Sequence, residues 1–171
     1  MLLLACKIGQ IQASSGKTFC TPCETGTKAT EGTICAECQP GRYNSYMGQT
    51  DCMLCPKGFV QNRTGSAACL ACEPGQFEQN LVSCLECEVG RYNYDMGQTG
   101  CTLCPNGFVQ NNSGMSFCSI CMQGKIQKLD NFYVCQGCLE GTYQNNIGQT
   151  TCKDCIEGRY QPEVAESYCL P

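Results

Sequence analysis

No stretch of the chain carries the 3.6-residue apolar spacing of a helix over a useful length. Its apolar positions recur at wide intervals, each framed by polar residues. Nine intervals place an apolar or aromatic side chain five residues after a cysteine: Ile11, Tyr43, Val60, Phe77, Tyr92, Val109, Ile126, Tyr143 and Tyr160. Lys28 holds the tenth such position. Two residues before each stands a glycine, from Gly9 and Gly26 through Gly141 and Gly158. Such recurrence points to a backbone site that needs positive φ or a close approach. A second glycine follows in six intervals: Gly16, Gly48, Gly65, Gly97, Gly114 and Gly148. A turn and a return strand account for it, so each interval reads as a short β-hairpin. The apolar residue is expected to cover a disulfide of its own or the next unit, as a small core.

The cysteines set the frame. Eighteen of the twenty fall in nine Cys-x-x-Cys pairs, and Cys6 and Cys169 are left at the ends. Cutting at each pair gives ten loops with no cysteine unused. Units 1 to 5 are Cys6–Cys20, Cys23–Cys35, Cys38–Cys52, Cys55–Cys69 and Cys72–Cys84. Units 6 to 10 are Cys87–Cys101, Cys104–Cys118, Cys121–Cys135, Cys138–Cys152 and Cys155–Cys169. The whole of residues 1–171 is thus expected to be one continuous repeat array, each unit a hairpin with its base clamped by one disulfide. Units 2 and 5 lose two residues near the turn, where a hairpin tip tolerates deletion. Two residues join neighbouring units, so no flexible linker exists and a rod is expected.

Composition narrows the setting. Twenty cysteines in 171 residues is a disulfide-scaffold content. Units of about 17 residues bury no core of their own, and covalent staples must substitute. Closing a loop of about 15 residues stabilises by roughly 3 kcal/mol. So many disulfides require an oxidising compartment, hence an extracellular or cell-surface location. No run of residues is long and apolar enough to span a membrane. Net charge is −4 and the eleven Lys and Arg are scattered, which argues against nucleic acid or an anionic membrane as partner. Leu3-Leu4-Ala5-Cys6 has the look of a lipoprotein cleavage box, but lipidating Cys6 would leave Cys20 unpaired. A complete grid would put a further cysteine at Leu3 and another beyond Pro171, so the chain reads as a piece of a longer array.

A longer period lies over the grid. Cys38-Gln-Pro-Gly-Arg-Tyr-Asn-Ser-Tyr-Met-Gly-Gln-Thr is echoed from Cys87, and Gly148-Gln149-Thr150 returns later. Units therefore come in threes, with super-repeats near 38–86 and 87–137. Duplication of a three-unit block explains this. A further expectation is that three units make about one superhelical turn and place like units on one face.

The pattern Cys-x-x-Gly-x-[Tyr/Phe]-x(4)-Gly-x(3)-Cys-x-x-Cys resembles the ephrin-receptor-like cysteine-rich repeat, over Cys6 to Cys169. It is also similar to the single-disulfide module of tumour-necrosis-factor-receptor cysteine-rich domains, without the two-disulfide module that alternates there. The resemblance implies sequential pairing within each unit, an elongated ladder and an extracellular setting. Two other chemistries use Cys-x-x-Cys. Zinc ribbons would join pairs in twos, but the chain has no histidine and an odd pair remains. Redox catalysis needs a low-pKa thiolate, usually at a helix N-terminus.

Absence of histidine removes the common Ser and Cys nucleophile systems. No catalytic residue, cofactor or metal is therefore expected. Asn62-Arg63-Thr64 and Asn111-Asn112-Ser113 are glycosylation acceptors, each seven residues after its unit's cysteine. The expected function is a non-enzymatic scaffold, a stalk or surface-fibre segment. Its partners would be protein, including itself side by side or end to end, and N-linked glycans. The alternative is a ligand-binding ectodomain. Its best loop is unit 8, with Lys125, Lys128, Phe132, Tyr133 and Val134, because that unit breaks the pattern.

Overall fold

The computed structural model describes residues 6–14 and 16–171; the readings placed on Met1–Ala5 lie outside them. Among the described residues there is no helix, only short antiparallel strand pairs, one for each of units 1 to 9. Unit 10 has a single bridge, Tyr160 to Leu170.

Each unit starts with a tight turn. Its opening cysteine is followed by an i to i+3 hydrogen bond, such as Phe59 N to Pro56 O at 3.0 Å. The third residue of that turn is the recurrent glycine, with φ +82° at Gly58. That is the left-handed position of a type II turn, where glycine avoids a Cβ penalty. A strand follows at once, such as Phe59–Val60.

The return strand is not where the hairpin reading put it. Phe59 pairs with Ala71 and Val60 with Leu70, so the strand is the dipeptide between the cysteines of a Cys-x-x-Cys. The same register joins Arg42 to Leu54 and Arg91 to Leu103. Outside units 2 and 5, each disulfide therefore ties the start of a unit to the loop side of the ladder and does not clamp its base. The joint is itself paired backbone, which is why no linker is needed. In the shorter unit 2 the ladder lengthens to four pairs, Thr27–Thr30 against Ile34–Glu37. Lys28, the polar exception, lies in it and faces Asp51 at 3.7 Å.

All ten disulfides join cysteines of the same unit, with Cα separations of 5.5 to 5.8 Å. The opening cysteines of units 2 to 9 are buried. The recurrent apolar residues contribute less core than expected. Only Val109 and Ile126 are buried, and Tyr160 is 58% exposed. The largest fully buried side chains are Gln127, Gln144 and Asn44. An aromatic ring on a strand of two residues has too little around it to cover it, whereas the amides lie inside the loops.

The chain divides into two compact bodies. The first is Met1–Glu73, Glu78–Leu85 and Gly97–Thr99; the second is Pro74–Phe77, Glu86–Met96 and Gly100–Pro171. Within each, a unit touches its first and second neighbours. First neighbours share backbone bonds: in the first body Gly41 N donates to Gln61 O at 2.7 Å and Gly65 N to Cys38 O at 2.9 Å. In the second, Gly90 N donates to Gln110 O at 2.7 Å and Gly114 N to Cys87 O at 2.8 Å. Second neighbours meet through the turn glycine, whose missing side chain leaves room for a loop two units on.

The stacking period is thus two units, not three. In the second body unit 6 meets unit 8 at Gly90, and unit 7 meets unit 9 at Gly107. Units 6 and 9, which share the Gly-Gln-Thr motif, therefore do not lie in one stack. The stack is set by backbone turns that recur in every unit, while the three-unit rhythm belongs to the side chains.

Candidate functional site

The twenty candidate cysteines are consumed by the disulfides, and no free cysteine is present among the described residues. Each bond from Cys23–Cys35 through Cys138–Cys152 joins cysteines of different Cys-x-x-Cys pairs, so none closes within a pair as the redox motif does. What the units hold in common is a set of contact faces, and these explain the rhythm in threes.

Three kinds of face occur. Units 1, 4 and 7 present Gly9, Gly58 and Gly107 to the second glycines Gly48, Gly97 and Gly148 of units 3, 6 and 9. A Cβ built on any of those three turn glycines would overlap the facing carbonyl oxygen. Units 2, 5 and 8 present Gly26, Gly75 and Gly124 to Gly65, Gly114 and Ala165 of units 4, 7 and 10. Units 3 and 6 differ: Gly41 meets the side chains of Leu81 and Val82, and Gly90 those of Phe132 and Tyr133. We call units 3, 6 and 9 class a, units 1, 4, 7 and 10 class b, and units 2, 5 and 8 class c. Gly9, Gly58 and Gly107 of class b each see an a loop, each c glycine a b loop, and each described a–c contact is made by apolar side chains.

The c-to-b face carries a polar lock. Thr64 Oγ1 donates to Glu37 Oε2 at 2.6 Å, and Ser113 Oγ to Glu86 Oε2 at 2.9 Å. The glutamates precede the opening cysteines of units 3 and 6. Beside them a Cβ on Gly65 would lie 3.3 Å from Glu37 Cδ, and one on Gly114 3.0 Å from Glu86 Cδ. The third copy of this face is rebuilt. Gly137 replaces the glutamate, Val164 the hydroxyl residue and Ala165 the glycine. A Cβ on Gly137 would sit 2.9 Å from Ala165 Cβ, so bulk has moved from one side of the face to the other.

A feature not read from the sequence is the amide after each apolar residue. Gln61, Gln110, Gln144 and Gln161 are buried, and each brackets its own loop. Gln61 Nε2 donates to Ala68 O at 2.7 Å and its Oε1 accepts from Arg63 N at 3.0 Å. Gln110 makes the same pair with Phe117 O and Asn112 N. Asn44 and Asn93 are one methylene shorter and reach back to the preceding unit, at Thr27 O and Gln76 O. Among the described residues no buried side-chain polar atom lacks a partner. The signal was available: an amide stands six residues after the opening cysteine in units 1, 3, 4 and 6 to 10, and Ala29 and Glu78 mark the two short units.

The sequon asparagines Asn62 and Asn111 are exposed on these loops, next to the bracketing amides. Unit 8 puts its candidate residues to two uses. Phe132 and Tyr133 fill the face at Gly90, while Lys125, Lys128 and Val134 are exposed. Its buried Gln127 accepts from Gly107 N at 2.8 Å through its side chain, where Gln61, Gln110, Gln144 and Gln161 accept from the preceding unit's glycine through the main chain.

Comparison with protein families matches the chain to the tyrosine-protein kinase ephrin type A/B receptor-like model over residues 44–81, 75–116 and 124–169. The chain belongs to this ephrin-receptor-like family. The matches cover more than half of its length, and they run through units of all three classes. Ephrin-receptor-like repeats are non-catalytic modules typical of extracellular receptor domains. No helix among the described residues is long and apolar enough to cross a membrane. A search of curated proteins found no match to the chain.

Proposed function

We propose that the chain is an extracellular, non-enzymatic scaffold segment that serves as a stalk or as a building block of a surface fibre. One observation carries this reading: within each body every joint is paired backbone, and units are bonded to first neighbours and packed on second neighbours. Such double engagement suppresses hinge motion at the joints, because bending one joint breaks contacts at two others. Its partner would be protein, including further copies of itself joined laterally or end to end. Asn62 and Asn111 would carry N-linked glycans on equivalent loops. Electron microscopy of purified native material tests the assembly: filaments or laterally joined particles support it, and dispersed short particles overturn self-association.

A ligand-binding receptor ectodomain is the second reading. It is favoured by unit 8, where Leu129 is 69% and Val134 55% exposed beside Lys125 and Lys128. Loss of cell-surface binding on substituting Leu129 and Val134, with folding intact, would select it.

A further inference from the structure

The sequon hydroxyls have a structural use. In the two copies where the face holds Glu37 or Glu86, the loop holds Thr64 or Ser113. Where the glutamate becomes Gly137, the loop carries Pro162 and Val164, and sequon and lock vanish together. The hydroxyl is thus explained by folding, while Asn62 and Asn111 are exposed and their side-chain amides bond to no other described residue.

The folded loop withholds what a glycosyl transferase must grip. Thr64 Oγ1 is given to Glu37, Arg63 N to Gln61 Oε1 at 3.0 Å, and Gly65 N to Cys38 O at 2.9 Å. Around Asn111, Ser113 Oγ is given to Glu86, Asn112 N to Gln110 Oε1 at 3.0 Å, and Gly114 N to Cys87 O at 2.8 Å. Each sequon also lies inside a disulfide-closed loop, Cys55–Cys69 or Cys104–Cys118.

We propose that Asn62 and Asn111 are modified only before their units fold, so that loop closure and glycan transfer compete for the same segments. This rests on the glycan reading above. In the transfer, the asparagine amide nitrogen forms a bond to the anomeric carbon of a lipid-diphosphate-linked oligosaccharide. The carbon–oxygen bond to the lipid diphosphate breaks, the diphosphate leaves with the electron pair, and the proton lost by the amide balances the charge on the departing lipid diphosphate. Folding engages the hydroxyl in an exposed hydrogen bond and fixes the backbone on both sides of it, and modification then waits on local opening.

The test uses the full chain, made unglycosylated and disulfide-bonded, and the same chain reduced and alkylated. Each is incubated with oligosaccharyltransferase and lipid-linked donor, and both sites are read by glycopeptide mass spectrometry. Modification of the reduced chain, with a rate at least about tenfold lower in the folded chain, is expected. Equal rates in the two forms overturn the ordering and leave the glycan reading standing. No modification of either form overturns both.

Discussion

Replacing Gly58 by alanine, set beside the same change at Gly158, isolates what second-neighbour packing contributes. Both glycines belong to class b units and hold the same turn position, with φ +82° and +81°. At Gly158 a Cβ meets nothing within 4 Å; at Gly58 it overlaps the backbone of Gly97. Gly158→Ala therefore bears only the left-handed cost of about 1–2 kcal/mol. Part of it is offset by the roughly 0.4–1 kcal/mol that alanine removes from unfolded-chain entropy. A net loss of about 1 kcal/mol results. Gly58→Ala adds overpacking of about 1–3 kcal/mol, because the facing atoms are backbone and cannot rotate away. Displacing Gly97 also strains its bond to Cys72 O, 2.8 Å long, worth about 1 kcal/mol. The sum is about 3–5 kcal/mol. Repeat arrays open locally, so the suitable assay is native-state hydrogen exchange with disulfides intact, not a single melting temperature. Exchange at Gly97 should accelerate by at least about a hundredfold, and up to about a few thousandfold, in Gly58→Ala, while Gly158→Ala should speed exchange around its own turn only about fivefold. Equal acceleration in the two variants would refute the idea that the glycine face supports the stack.

Gln61→Leu removes both brackets of the unit 4 loop and leaves Ala68 O and Arg63 N without partners; a loss of about 2–3 kcal/mol is expected as faster exchange or proteolysis between Cys55 and Cys69. Gly137→Glu alone should cost about 1–3 kcal/mol by crowding Ala165, and adding Ala165→Gly with Val164→Thr should recover most of it in a mutant cycle read by chemical denaturation. Glu37→Ala breaks only an exposed hydrogen bond, so its effect in the same assay should stay within about 1 kcal/mol.

The repeat unit, its closing disulfide and the turn glycine were legible because each is bound to residue type: cysteine to a bond, glycine to positive φ. The return strand was not, since Met53-Leu54 or Thr102-Leu103 carry no strand pattern in two residues. Their role follows from register with Arg42 and Arg91. The stacking period escaped for a similar reason. Contacts such as Gly58 to Gly97 join backbone to backbone, and two glycines leave no side chains whose identities could reveal them. Only where side chains enter, at Leu81 with Gly41 or Ala165 with Gly137, does composition hint at the pairing. The buried glutamines were passed over because polar residues are ordinarily exposed, although their recurrence after the apolar residue was plain.

The three face classes impose something like a reading frame. With contacts to the second neighbour and classes cycling a, b, c, deleting a single unit would set the wrong loop against every glycine that spans the junction. Gly41 would meet a glycine loop where Leu81 belongs, and the Glu37 type of lock would face a loop without its hydroxyl. Removing or inserting three units together leaves every pairing intact. Unequal crossing-over can thus change the length of this protein freely in triplets, and in any other step only by breaking the stack it is meant to extend.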